Sequence, residues 1–156
     1  MIKLSRMADY GVILMVQLAR MPEQVTTAAD LAEATALPAP SVSKLLKQIS
    51  RSGLLDSHRG TKGGYAIARP STEITVADIV SAVEGPIALT ECMTTQGAVC
   101  EIEALCPTRT NWRHINNALV EALDNVSLAD MAKPVFNPSS VQQTPAVAGV
   151  TALGAQ

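Results

Sequence analysis

Three cysteines, Cys92, Cys100 and Cys106, fall inside 15 residues of a 156-residue chain that contains no others. An odd number of thiols in one short stretch does not read as a disulfide framework. Three thiolates on one loop are a donor set for a soft metal centre. Structural zinc sites usually carry closely paired cysteines, whereas seven and five residues separate these. Cys106 is followed by Pro107, like the cysteine–proline ending of some bacterial iron–sulfur motifs. The spacing therefore favours an iron–sulfur centre over zinc. Glu91 and Glu101 each adjoin a cysteine and bring acid near the site. A cysteine-nucleophile enzyme is disfavoured, because His58 and His114 are the only histidines and no nucleophile–base–acid set accompanies the thiols.

A second chemistry is written between Leu37 and Arg69. Val42, Leu45, Leu46 and Ile49 recur at helical spacing and predict a helix buried along one stripe. Pro40 suits its first turn and Gly53 the position just past its end. Ser41, Ser43, Lys44, Lys47, Gln48 and Arg51 are left for the outer face. Two short strands follow, over Leu54–Ser57 and Tyr65–Ala68, joined by the sequence RGTKGG. Arg59, Thr61 and Lys62 sit among glycines there, so backbone can approach a phosphate closely while cations supply the attraction. A polar-faced helix followed by a basic hairpin predicts a winged helix-turn-helix that binds a double-stranded DNA operator. Ser41, Ser43, Lys44, Lys47, Arg59, Thr61 and Lys62 are the candidate DNA-binding residues.

The remaining elements must position these two groups. Ser5–Arg20 reads as a first helix, with Leu4, Met7, Gly11, Val12, Met15, Leu18 and Ala19 in helical period. Thr27 and Asp30 have the spacing of an N-terminal cap for a second helix, which a turn over Ala36–Ala39 joins to the stripe helix. Thr75–Glu84 predicts a fourth helix buried through Val76, Ile79, Val80 and Val83, and Gly85-Pro86 ends it. Thr108 to about Leu128 is the longest helical pattern. Its Trp112, Ile115, Leu119, Ala122 and Val126 step like a coiled-coil seam and predict a dimerisation helix.

The expected fold is therefore mostly α, with residues 1–86 as DNA-binding domain, 87–107 as cysteine loop, 108–132 as dimerisation helix and 133–156 as a disordered tail. The net charge of −2 hides an asymmetry: residues 1–70 carry +4 and residues 71–156 carry −6. DNA binding needs a local basic face, not a basic total. No apolar run spans a membrane, and the N-terminus, interrupted by Asp9 and Gly11, lacks a signal-peptide pattern. A cytoplasmic location is expected.

Three stretches carry a resemblance. LSRMADYGVILMVQLA resembles the first helix, and RGTKGGYAIAR the wing, of the Rrf-type bacterial transcription regulators. The three-cysteine loop running into CPTRTNW, ahead of a long helix, is similar to the cluster region of their IscR-like and NsrR-like iron–sulfur sensors. The match covers residues 1 to about 132, and the wide first cysteine spacing looks most like regulators of the SUF cluster-assembly system. The resemblance implies a homodimer with Cys92, Cys100 and Cys106 on an iron–sulfur cluster, 2Fe-2S rather than 4Fe-4S. It implies a repressor of cluster-assembly genes; a nitric-oxide or redox sensor, or a zinc-stabilised DNA-binding protein, are the alternatives. IscR-like members place a histidine three residues after the last cysteine. This chain has Arg109 there, which cannot ligate. NsrR-like members use an aspartate of the partner's first helix, and Asp9 holds the matching position. Glu91, Glu101, Glu103 and His114 remain other candidates for the fourth ligand.

Overall fold

The computed structural model describes residues 3–60, 63–90, 93 and 106–133. Its elements in order are α1 (Arg6–Ala19), α2 (Ala28–Thr35), α3 (Ala39–Arg51), β1 (Leu55–His58), β2 (Gly64–Ile67), a 3-10 turn (Ser71–Glu73), α4 (Val76–Glu84), α5 (Arg109–Asp124) and α6 (Leu128–Ala132). The predominantly helical fold with one antiparallel hairpin is the predicted winged helix-turn-helix.

Helix starts follow one local rule. Thr27, Thr75 and Ser127 each accept a hydrogen bond from the backbone N–H of an aspartate three residues on. At Thr75 and Ser127 the aspartate, Asp78 or Asp130, accepts in return from the cap residue's own N–H. This reciprocal box satisfies two donors that the helix leaves open. Lys133 donates to Asp130 at 2.6 Å and holds that carboxyl down to about 2, with Ser127 adding to the effect. Ser5 caps α1 in the same way through the N–H of Ala8.

The core gathers one face from each helix. Leu14, Met15 and Leu18 of α1, Leu31 of α2, Ile79 of α4 and Leu128 of α6 meet the α3 stripe. Val42, Leu45, Leu46 and Ile49 of that stripe are fully buried. Gly11 lets α1 lie close to α4: a Cβ there would stand 2.9 Å from Val83 Cγ2. Gly53 takes φ +79° just beyond α3, the left-handed closure predicted for it. In the hairpin Leu55 pairs with Ile67 and His58 with Gly64. Thr26 adds a bridge on the far side of β2, giving and taking hydrogen bonds with Tyr65 at 3.0 and 2.9 Å.

The structure corrects the sequence reading at three places. Leu4 is exposed, and Leu14 takes the core position that the expected period had missed. Gln48 faces inward rather than out. The long helix stops at Asp124, and residue 128 opens a separate helix. Val126 spaces correctly for the seam, but its carbonyl accepts from Val76 N–H at 2.9 Å while Leu128 N–H donates to Ile74 at 2.7 Å. Those cross-chain bonds and the Ser127–Asp130 box outcompete a further helical turn. The expected tail beyond Lys133 lies outside the described residues. Among the described residues no helix is long and apolar enough to cross a membrane.

Two adjacent positions on α3 test this core. Leu46→Ala is expected to cost about 2–5 kcal/mol, read as a lower urea midpoint at unchanged slope. Lys47→Ala, on the exposed face, should change stability by no more than about 0.5 kcal/mol.

Candidate nucleic-acid interface and cysteine loop

Burial of the α3 stripe fixes what the helix presents outward. Lys44, Lys47 and Arg51 are exposed along one side, with Ser41 and Ser43 half-buried near the start. Lys44, Lys47, Arg51 and Arg59 enter no ion pair among the described residues, so their charge is available to an anionic partner. Arg69, by contrast, is committed: it binds Asp78 at 3.1 Å and ties the end of the hairpin to α4.

The wing is built from its base. Gly64 is required there, because a Cβ would lie 2.6 Å from the Thr26 carbonyl oxygen. That close approach lets Thr26 and Tyr65 pair. At the other end Gly63 N–H donates to the Gly60 carbonyl at 2.9 Å and folds the tip, where Arg59 is exposed. Thr61 and Lys62, predicted for the same tip, lie outside the described residues.

Of the predicted metal ligands, Cys92 and Cys100 also lie outside the described residues, as do Glu91, Glu101 and Glu103. Cys106 is free and partly exposed just ahead of α5. Its thiol is pulled below the ordinary cysteine range, chiefly by the Thr108 hydroxyl 3.5 Å from Sγ, then by the Thr108 backbone and by Arg109. A thiol biased toward thiolate is the form a metal needs. Asp9 is exposed in the first turn of α1, where a carboxylate also suits the helix dipole. His114 is exposed on α5. Among the described residues no three potential ligands stand together.

Sequence reasoning passed over Asn116, the buried residue of α5. Its Oδ1 accepts from Leu89 N–H at 2.9 Å and its Nδ2 donates to the Ile87 carbonyl at 3.1 Å. The entry to the cysteine loop is thereby fastened to the same helix that Cys106 precedes. A polar residue inside a helical repeat was the available signal. Trp112 and Ile115, on the neighbouring side of α5, remain 39% and 49% exposed. Beside them an open groove of about 680 Å³ runs between α1, α4 and α5, lined by Leu4, Val80, Ile87, Leu89, Leu119 and Leu123 among others.

With this geometry in place, comparison with known proteins becomes specific. Residues 4–134 match the Rrf2 family, whose description is iron-dependent transcriptional regulator. The chain belongs to the Rrf2 family. An HTH-type transcriptional regulator of Mycobacterium tuberculosis is 33% identical over 134 residues, covering 83% of this chain and 81% of that protein. Among solved structures, CymR, the global cysteine regulator of B. subtilis, shares 30% identity at a TM-score of 0.65, covering 85% of this chain and 97% of that one. T. potens IscR shares 28% identity at a TM-score of 0.64, covering 92% and 94%. This Rrf2 protein is thus a winged-helix transcriptional regulator and not an enzyme, and its basic α3 face and wing are the features suited to DNA.

Asn116→Ala is expected to strand the Leu89 N–H and the Ile87 carbonyl. The cost should be about 1–3 kcal/mol, with faster hydrogen exchange at the Leu89 amide and little change at amides of α3.

Proposed function

We propose that this Rrf2 regulator binds its operator as a homodimer and reports iron–sulfur status through a cluster held by Cys92, Cys100 and Cys106. The observation that carries the reading is the Cys106 thiol, free and biased toward thiolate at the head of α5, in a family described as iron-dependent. The donor set fits such a group: three soft thiolates from one loop, with an exposed carboxylate, Asp9, offered from α1. Asp9 would come from the other subunit. Arg109 cannot complete the set. When bound, the cluster supplies a centre sensitive to oxidation, nitric oxide and iron supply.

The chain's own residues supply the rest. Asn116 fastens the loop entry to α5, while α1 packs beneath α3 through the shared core. Ser41, Ser43 and Lys44 face bases, and Lys47, Arg59, Thr61 and Lys62 meet phosphate. A change in how α1 of one subunit meets the loop of the other would alter the separation of the two reading helices, and so the fit to a palindrome. The similarity to IscR supports control of cluster-assembly genes, with the SUF system the nearest resemblance. Repression is the expected sense.

Anaerobic purification separates the readings. Brown protein with iron and sulfide is expected, and any Cys→Ala variant at the three positions should be folded but colourless. Asp9→Ala should assemble a cluster that decays faster in air. Colourless protein carrying zinc would replace sensing with a structural site. Equal operator affinity with and without the cluster would end the sensor reading.

The dimer has its own test. Ile115 is 49% exposed, so Ile115→Lys should leave the protomer folded. Buried between subunits, the unpaired charge would cost about 3–5 kcal/mol. Sedimentation should then show monomers, while wild type that is monomeric at micromolar concentration would rule out the dimer.

A further inference from the structure

The apolar stripe of α3 holds the helix against the body, but hydrophobic contact is non-directional. It does not by itself fix the rotation of a helix about its axis to the accuracy that base recognition needs. One polar bond does so here. Gln48 Nε2 donates to the Val83 carbonyl at 2.7 Å. Val83 lies in the last turn of α4, where carbonyls lack an intrahelical donor. Among the described residues this is the side-chain hydrogen bond that joins α3 to another helix; the other from this region, Ser52 to Ile49, is local.

The acceptor end is itself well anchored. Glu84, the next residue, takes the Ser5 hydroxyl proton. Val83 fills the space that Gly11 leaves on α1, and Asn116 pins Ile87 and Leu89 a few residues later. Gln48 thus bonds α3 to the point where α1, α4 and α5 are tied together. It lies one turn after Lys44 and next to Lys47, so its bond sets the direction in which those side chains project.

We infer that Gln48 is a positioning residue for sequence recognition: through the Val83 carbonyl it fixes the rotation of α3, while making no contact with DNA itself. A residue that touched a base would govern one base pair. A residue that orients the whole helix governs every base pair the helix reads.

The test uses the full-length protein and a half-site selected by wild type from a random duplex library. Failure of wild type to enrich any sequence would refute the DNA-binding reading itself, separately from this inference. Every single base-pair variant of the selected site is then titrated with wild type and Gln48→Met, which is similar in size and lacks the donor. Operator affinity is expected to fall about tenfold, the order set by one stranded buried carbonyl. Mismatch penalties should shrink across the half-site, with non-specific affinity and salt slope unchanged. Gln48→Lys, which keeps a donor of similar reach, should retain the wild-type mismatch profile. If Gln48→Met melts below the assay temperature, Gln48→Glu replaces it; its added charge acts equally on all sites and cancels from the mismatch ratios. An unchanged profile without the donor overturns the inference. So does loss of discrimination at one base pair only, or an equal loss in the Lys variant.

Discussion

Val42, Leu45, Leu46 and Ile49 leave water completely when α3 docks, and the direction of everything else on that helix follows. Four buried aliphatic side chains at helical spacing contribute on the order of 6–12 kcal/mol before chain entropy is counted. No weaker interaction on the helix can compete with that, so Lys44, Lys47 and Arg51 must face outward whatever their own preferences. The basic face is a consequence of the apolar one. The chain can therefore be acidic overall and still present cations where a polyanion would meet them, since its negative charge lies after residue 70.

Polar contacts have a different task. They add little to total stability but supply direction where apolar packing has none. Arg69 on Asp78, Thr75 on Asp124 and Asn116 on the 87–89 backbone each join elements distant in sequence. Together they make α4, α5 and the segment between them a connected frame, with the DNA-facing half on one side and the start of the cysteine loop on the other. The regulator's two chemistries share this frame without sharing residues.

Much of this was legible beforehand because it depends on short-range rules. The α3 stripe, the Thr27–Asp30 cap, Gly53 and the alternation of helix and hairpin all announce themselves within a few residues. Family membership was legible for the same reason, through the wing and the CPTRTNW stretch. What escaped depends on what lies opposite. Gln48 looks like any outer-face residue until the Val83 carbonyl is known to stand beside it, and Asn116 looks like a flaw in an amphipathic repeat. Val126 fitted the seam by period alone. Only its pairing with Val76 shows why the helix ends before it. The DNA contacts and cluster ligands remain proposals: Arg59 and Cys106 are placed, whereas Lys62, Cys92 and Cys100 lie outside the described residues.

The pairing of Thr26 with Tyr65 carries an evolutionary consequence. Connections between helices ordinarily absorb insertions and deletions with little effect. The one between α1 and α2 has no such licence at its far end, because Thr26 serves as a third strand beside β2 and its carbonyl meets the backbone of Gly64. A residue gained or lost next to Thr26 would shift that pairing and re-aim the wing. Length variation among descendants of this gene should therefore collect near Pro22 and Glu23 and spare the approach to Thr26, although neither place touches the operator.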